Sequence, residues 1–298
     1  LVVADAHILQ TTPATLEVTF YADGTPAADS PVTVGVTRAD GTDLLPPGTA
    51  TTPGGTGVYR VALTAAHTAE LDRLKATWTG ATQTHRTWAE VVGGHLYTEA
   101  DARGLKSAGK TPLASDTDFP DKVILATRAQ VTDDFKLRGE VAFAPRFARE
   151  THSGDGDTWL MLRRNLPHRI ISVTVDGTAL TGAELADLDI EPGRVLVRKT
   201  LGGFARGVRN ITVAYAHGYE QAPAEIGLAA LRRTLMILNP SVAGSTVSSW
   251  TSPDGTTYSY DQAGQVIPGT SMIRHYGVPA VDVPLNVYGM VGLAVASP

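Results

Sequence analysis

Arg209 to Leu238, RNITVAYAHGYEQAPAEIGLAALRRTLMIL, decides how this chain is read. From Asn210 to Tyr215 the residues alternate. Ile211, Val213 and Tyr215 fall on one face and Thr212 and Ala214 on the other, which is the period of a strand. His217-Gly218-Tyr219 breaks that period, because glycine reaches backbone angles that other residues avoid. His217 and Tyr219 read as packing residues that close the corner. Pro223 has the fixed φ and the missing N–H that suit a first helical turn, and Glu225 complements the helix dipole there. Leu228, Leu231, Leu235 and Leu238 follow at spacings of three, four and three, predicting one buried apolar stripe. Asn239-Pro240 ends the helix. The stretch is a strand, a corner and a helix, and it contains no reactive pair.

Composition narrows the function classes. A chain of 298 residues suits two domains. Charged residues make up 18% and glycine and proline number 30 and 18, so an ordered, turn-rich protein is expected. A formal charge of −5 argues against a free-standing nucleic-acid binder, which needs a basic footprint. The absence of cysteine excludes disulfides, thiol catalysis and Cys-ligated metals. No apolar run approaches the roughly 20 residues that span a bilayer, so no membrane association is expected. The opening LVVADAHILQ lacks a basic region and a cleavage pattern, so no signal peptide is read there.

Residues 1–93 read as all-β. Leu16–Phe20, Val32–Val36, Val58–Leu63, Leu74–Thr79 and Thr82–Val92 alternate, with turns at Asp23-Gly24, Asp40-Gly41 and Pro53-Gly54-Gly55 between them. Short strands at such spacing predict a sandwich, with Trp78 and Trp88 as core aromatics. The glycine pair at 93 and 94 predicts a hinge to residues 94–298. There Thr98 caps a short helix, and Gly104 to Asp116 reads as a loop exposing Lys106 and Lys110. A longer helix near 120–138 opens on Asp118 and Pro120 and buries Ile124, Thr127, Val131 and Phe135. A β-rich insertion over 140–216 carries strands at Asp157–Arg163, Arg169–Val175 and Arg194–Lys199, with a tight turn at Asp176-Gly177. The second helix, 223–238, is the one quoted above. Residues 241–298 read as an extended arm, with a polar loop over Ser241–Ser249, a hairpin around Asp254-Gly255, and a short terminal helix limited by Pro284. The fold class expected is α+β.

Tests for chemistry return little. None of the eight histidines makes an H-E-x-x-H or an i, i+4 metal pair. Ser153-Gly154-Asp155-Gly156-Asp157 lacks the spaced acids and closing Glu of a calcium loop and reads as a hairpin tip. Gly202 to Gly207 is glycine-rich without the P-loop Lys, and no G-x-S-x-G elbow exists. Glu184 and Asp189 are the nearest approach to a glycosidase pair, in a polar loop. No cofactor is expected. Arg146, Arg149, Arg163, Arg164, Arg169, Arg194, Arg198, Lys199, Arg206 and Arg209 crowd the insertion. They read either as solvated strand faces or as a contact for an acidic surface or passing DNA.

Two resemblances add to this. The G-T-P-A…V-T-V-G-V…D-G-T…G-V-Y-R-V phrase of residues 24–61 resembles bacterial and phage immunoglobulin-like modules. Across about 95–290, Val213-Ala214-Tyr215, Gly218-Tyr219, Pro223-Ala224-Glu225-Ile226, Asp254-Gly255, Tyr258-Ser259-Tyr260 and Val281-Asp282-Val283-Pro284-Leu285 occur in the order found in head-to-tail adaptor (connector) proteins of long-tailed phages. That resemblance implies a non-enzymatic virion protein assembled in the host cytoplasm. It implies a small helical bundle forming a homo-oligomeric ring, usually dodecameric, at the head–tail neck. Its partners would be the portal protein above and a stopper or tail-completion protein below, with genomic DNA passing through the lumen. The family does not require an N-terminal sandwich, which leaves capsid as a partner for residues 1–93. The interface residues expected are Arg232, Arg233, Tyr258, Tyr260, Val281, Asp282, Leu285 and Tyr288. On this reading, removal of Ser252–Pro298 leaves a folded monomer that no longer binds portal. Other neck or tail-completion proteins, and a carbohydrate-active enzyme with an immunoglobulin-like module, are the alternatives.

Overall fold

The computed structural model describes residues 6–104, 121–139, 141–191, 195–198, 202–238, 249–251, 257–259 and 279–294. The expected loop at 104–116, the Asp118 cap, the Ser241–Ser249 loop, Arg194, Lys199 and Tyr260 lie wholly or almost wholly outside them. Ten strands come first: β1 (Ala6–Leu9), β2 (Ala14–Thr19), β3 (Tyr21–Ala22), β4 (Thr25–Pro26), β5 (Thr33–Thr37), β6 (Asp43–Ala50), β7 (Thr52–Gly55), β8 (Val58–Leu63), β9 (Asp72–Thr79) and β10 (Thr84–Val92). One sheet runs β1-β10-β9-β5-β6 and a second β2-β8-β7, with β3 and β4 as a small hairpin. Alternate residues of β8 and β9 point inward, so Tyr59, Val61, Leu63, Leu74, Ala76 and Trp78 meet Phe20, Val34 and Val36 in one core.

Trp78 is buried as expected, and its Nε1–H donates to Thr87 Oγ1 at 2.9 Å. Trp88 is not buried; it is 41% exposed. The register of β10 turns Thr87, Ala89 and Val91 inward, which sends residue 88 to the other face. β1, β6 and β7 were not foreseen. β6 and β7 carry three prolines and three glycines, residues depleted in strands.

The glycine pair is not a hinge. Gly93 N–H donates to Pro145 O at 3.0 Å, and a Cβ on Gly93 would lie 2.6 Å from Pro145 Cβ. The chain is bound to the second half at that point.

Helix α1 (Glu99–Arg103) is closed by a reciprocal Thr98–Asp101 capping box. Helix α2 (Asp121–Gly139) buries Ile124, Thr127, Val131 and Phe135, the stripe expected. Next come β11 (Arg146–Gly154), β12 (Trp159–Met161), β13 (Pro167–Val175), β14 (Thr178–Ala179), the short α3 (Gly182–Ala186), β15 (Leu188–Glu191), β16 (Val195–Arg198) and β17 (Gly207–His217). They form sheets β11-β17-β13-β14 and β12-β16-β15 around Leu162, Val173, Leu196, Phe204, Ile211, Val213 and Tyr215. The corner after β17 is clamped. Gly218 has a φ of +99°, and a Cβ there would lie 2.6 Å from Ala142 O, so only glycine fits. Tyr219 N–H donates to Ala142 O at 2.9 Å, and its ring stacks on Phe143.

Helix α4 (Ala224–Leu238) begins one residue after Pro223, whose carbonyl accepts from the Ile226 and Gly227 N–H groups. Its buried face differs from the leucine stripe. Ile226, Gly227, Ala229, Ala230, Thr234 and Leu238 are buried, while Leu228 is 51% exposed and Leu231 and Leu235 sit on the shoulder. Small residues face inward because the helix lies close to its neighbours: a Cβ on Gly227 would lie 2.7 Å from Leu96 O. Strands β18 (Ser249–Thr251) and β19 (Thr257–Ser259) pair as a hairpin. Helix α5 (Pro279–Ala294) runs through Pro284, so the end is longer and more helical than the proline suggested. It packs Val281 and Leu285 into the core shared by α2 and α4, alongside Tyr97, Phe135 and Ile226. The terminal segment is therefore part of the bundle, not only an arm.

Candidate functional site

The junction of the two halves is built on one arginine. Arg146, the first residue of β11, is 1% exposed. Its Nη1 donates to Glu90 Oε2 of β10 and lies 3.0 Å from His7 Nε2 of β1. Its Nη2 donates to Asp133 Oδ1 of α2 at 2.7 Å, and His7 Nε2 is 3.2 Å from that same oxygen. Four elements thus meet at one guanidinium. Burial opposes ionisation of Asp133, but His7 and Arg146 outweigh it and hold the carboxyl down at about 2. His7, Glu90 and Asp133 are close enough to one another to hold a metal ion. The planar cation of Arg146 already sits against all three, so the protein supplies the positive charge itself. The cluster is an ion-pair lock.

The insertion's other arginines act similarly. Arg149 Nη1 donates to Ala39 O at 2.6 Å and Arg169 Nη2 meets Glu70 at 3.5 Å, both across to the sandwich. Arg206 Nε donates to Asp155 O at 2.7 Å, and Arg198 lies over Phe204 and 3.9 Å from Glu184. Much of the basic crowd is used inside the chain, and part of it on the sandwich's own acidic and carbonyl groups.

Beside the lock a cleft of about 920 Å³ opens between the sandwich, α2 and β11. Arg73, Trp88, Glu90, Asp133, Lys136, Arg149, Glu150, Arg163, Arg164 and His217 line it. Glu150 is buried and fixed: Oε1 accepts from the Tyr215 hydroxyl, Oε2 from Arg163 N–H at 3.0 Å and from His152 Nε2 at 3.1 Å. Burial opposes its charge, yet these donors lower its pKa to about 2, which makes it a poor general base. Burial and the Glu150 hydrogen bond raise the Tyr215 pKa, so the phenol stays a donor. Arg164 N–H in turn donates to the Tyr215 oxygen at 3.0 Å. The network holds the 163–164 turn so that both arginines border the cleft. Burial, with Lys136, Arg164 and Arg146 nearby, lowers His217 to about 3 and keeps its imidazole neutral.

The expected interface residues separate. Arg232 is exposed on α4 and Arg233 beside it is half-buried. Val281, Asp282 and Leu285 are buried within the chain, because the first turns of α5 face α2 and α4; they present no surface to a partner. Tyr288 is partly exposed, and its hydroxyl donates to Glu225 Oε2 at 2.9 Å, edge-on to Tyr219. Tyr258 belongs to β19, and Tyr260 lies outside the described residues. The structure brings Val281, Leu285 and Tyr288 against α4, the first two in the buried core and Tyr288 at its edge. Glu184 is the acceptor of a second capping box with Thr181, and neither it nor Asp189 lines the cleft. Among the described residues no helix is long and apolar enough to cross a membrane.

No family model matches this chain, and no curated protein does. Among solved structures, the immunoglobulin domains of the ZIG-8–RIG-5 heterodimer align with 30% of this chain and 81% of theirs, at 14% identity and a TM-score of 0.22. A chimeric titin Z1Z2 aligns over 72% of this chain and 78% of its own, at 14% identity and TM-score 0.20. Titin Z1Z2 in complex with telethonin gives the same coverage at 13% and 0.18. The helices and sheets described above define the class, an α+β protein of several β-sheets. Likenesses this slight carry no argument about fold or function.

Proposed function

We propose that this chain is a structural virion protein, a head-to-tail adaptor whose copies form a ring joining the portal to the stopper or tail around the DNA exit channel. The observation that carries this reading is the order of elements around one core. Helix α2, a β insertion, α4, a hairpin and α5 follow one another, and α2, α4 and α5 share a single apolar cluster from which the β11–β17 sheet stands apart. That is the order the adaptor resemblance implies. A closed ring needs two different complementary faces on each subunit. The exposed side of α4, with Leu228 and Arg232, and the exposed Val287 of α5 supply candidates for one. The test is electron microscopy of the purified protein mixed with portal. A ring of subunits beneath the portal is the expected result. A protein that stays monomeric beside intact portals sinks the adaptor reading and favours a tail-completion role.

A further inference from the structure

The cleft beside Arg146 has a charge that the chain as a whole does not. Net charge is −5, yet Arg73, Lys136, Arg149, Arg163 and Arg164 all line one cavity of about 920 Å³. The carboxylates lining it are engaged: Glu90 and Asp133 by buried Arg146, and Glu150 by Tyr215, His152 and the Arg163 N–H. Lys136 and Arg164 make no ion pair with any described residue. Burial lowers the Lys136 pKa, and Arg146 and Arg164 add to this against the pull of Glu90 and Asp133. His217 at the same cleft is kept neutral by burial and by those same cations. Five cations therefore outnumber the three carboxylates lining this wall, in partly desolvated surroundings where an anion is held more strongly than at an open surface.

We propose that this cleft binds a phosphate-bearing ligand through Lys136, Arg164 and Arg149, with Trp88 at the rim for an attached ring. The volume lies within the range of small-molecule sites, about 300–1,000 Å³. Several cations around one space suit several charges, and guanidinium forks match phosphate oxygens in pairs. Trp88 is partly exposed and Arg73 lies 4.9 Å over its ring, a cation–aromatic ledge on which a base can extend the stack. A second cleft, about 580 Å³, shares Arg149, Glu150, Thr151 and Arg163 and leads on to Arg209, Met161 and the exposed Trp159. The phosphates can belong to a free nucleotide confined to the first cleft, or to a single strand continuing into the second. The proposal does not depend on the adaptor reading.

Titration calorimetry on the full chain, with tripolyphosphate, adenosine triphosphate and a short oligothymidylate, tests it. Binding of at least one probe is expected, weakened tenfold or more by Lys136→Met with Arg164→Ala. Arg60→Ala, on the sandwich and paired with Glu17 away from the cleft, leaves it unchanged. A thermal melt confirms that each variant is folded. Should the double variant fail to fold, Arg164→Ala alone is titrated, and the same loss is expected. Oligothymidylate binding that also falls with Arg209→Ala identifies the polymer, and nucleotide binding insensitive to Arg209 identifies the free ligand. The proposal is overturned if none of the probes binds, if the cleft variants bind as wild type does, or if polyglutamate binds as tightly as the phosphates.

Discussion

Arg146 Nη2 meets Asp133 Oδ1 at 2.7 Å with the arginine fully buried, and this pair ties the first residue of β11 to the middle of α2. Glu90 and His7 join it from the sandwich, so one side chain fastens the two halves. Arg146→Met fills the volume but leaves two carboxylates facing a buried apolar group. Breaking a buried pair this way costs about 3–5 kcal/mol, and since Asp133 is partly exposed and can rehydrate, about 3 kcal/mol is expected here. Urea denaturation measures it. A loss below about 1 kcal/mol would show that the lock is not structural.

Gly227 and Leu228 make opposite predictions from adjacent positions. A Cβ at 227 collides with the Leu96 carbonyl, so Gly227→Ala should destabilise by about 1–3 kcal/mol despite alanine's better helix propensity. Leu228 is half-exposed, so Leu228→Ala should change stability by no more than about 0.5 kcal/mol. The leucine stripe alone predicts the reverse ranking. Thermal melts of the two variants decide between them.

That reversal shows what the chain reveals in its residues and what it hides. The α2 stripe, the β17 alternation, the Gly218 corner and the Thr98 cap are local patterns, and they are readable because each buries apolar residues at its own period. β11 is different. Its inward positions are Arg146, Ala148 and Glu150, so the residues that mark a strand elsewhere are here replaced by an ion-pair lock and a hydrogen-bonded carboxylate. The inward face of α4 is small because of Leu96, whose approach is tertiary and leaves no trace in the helix's own periodicity. The cleft could not be foreseen for the same reason. Its cations come from β9, α2, β11 and the turn after β12, and only their meeting makes a site. A mixed basic run in an otherwise acidic chain was the one signal present.

Acid should loosen the fold through identified groups. His217 and His95 have pKa values lowered to about 3 and about 4, each first by burial, so between pH 6.5 and those values the unfolded chain binds more protons than the folded one. Their contribution is complete above pH 6.5 and is lost as the pH falls. Asp133 and Glu150, held at about 2, act in the same direction between about pH 4.5 and 2. Stability should therefore decline from pH 7 to pH 4, and His217→Gln should flatten the part above pH 4.5. Urea midpoints at pH 7, 5.5 and 4.5 read this directly. Parallel curves for variant and wild type would remove His217 from the account.

Removing the C-terminal segment should do more than abolish an arm. Val281 and Leu285 fill the core between α2 and α4, and Tyr288 holds Glu225 at 2.9 Å. A chain ending before Ser252 exposes that apolar core, contrary to the folded monomer expected from sequence. It should bind a hydrophobic dye and lose part of its helical signal, while the sandwich keeps its own core. A truncated chain that melts as cooperatively as the whole would show that α5 is dispensable to the bundle.

The exposed side of α4 offers the sharpest test of assembly. Glu225, Leu228 and Arg232 recur at three and four residues, so they share one face of the helix, and all are exposed. Tyr288 of α5 already leans on Glu225, which leaves Leu228 and Arg232 as the open part of that face. Arg233, partly buried one position along, points elsewhere on the helix. Because Leu228 and Arg232 contribute little to the monomer, Leu228→Asp with Arg232→Glu should leave its melting temperature within about 2–4 °C of wild type. An apolar anchor replaced by a charge, beside a reversed charge, should weaken any subunit or portal contact made there by tenfold or more. Co-sedimentation with portal, and sedimentation velocity of the protein alone, separate the two contacts. If the double variant docks and self-associates as wild type does, this face of α4 is not the interface, and exposed Val287 of α5 becomes the position to change next.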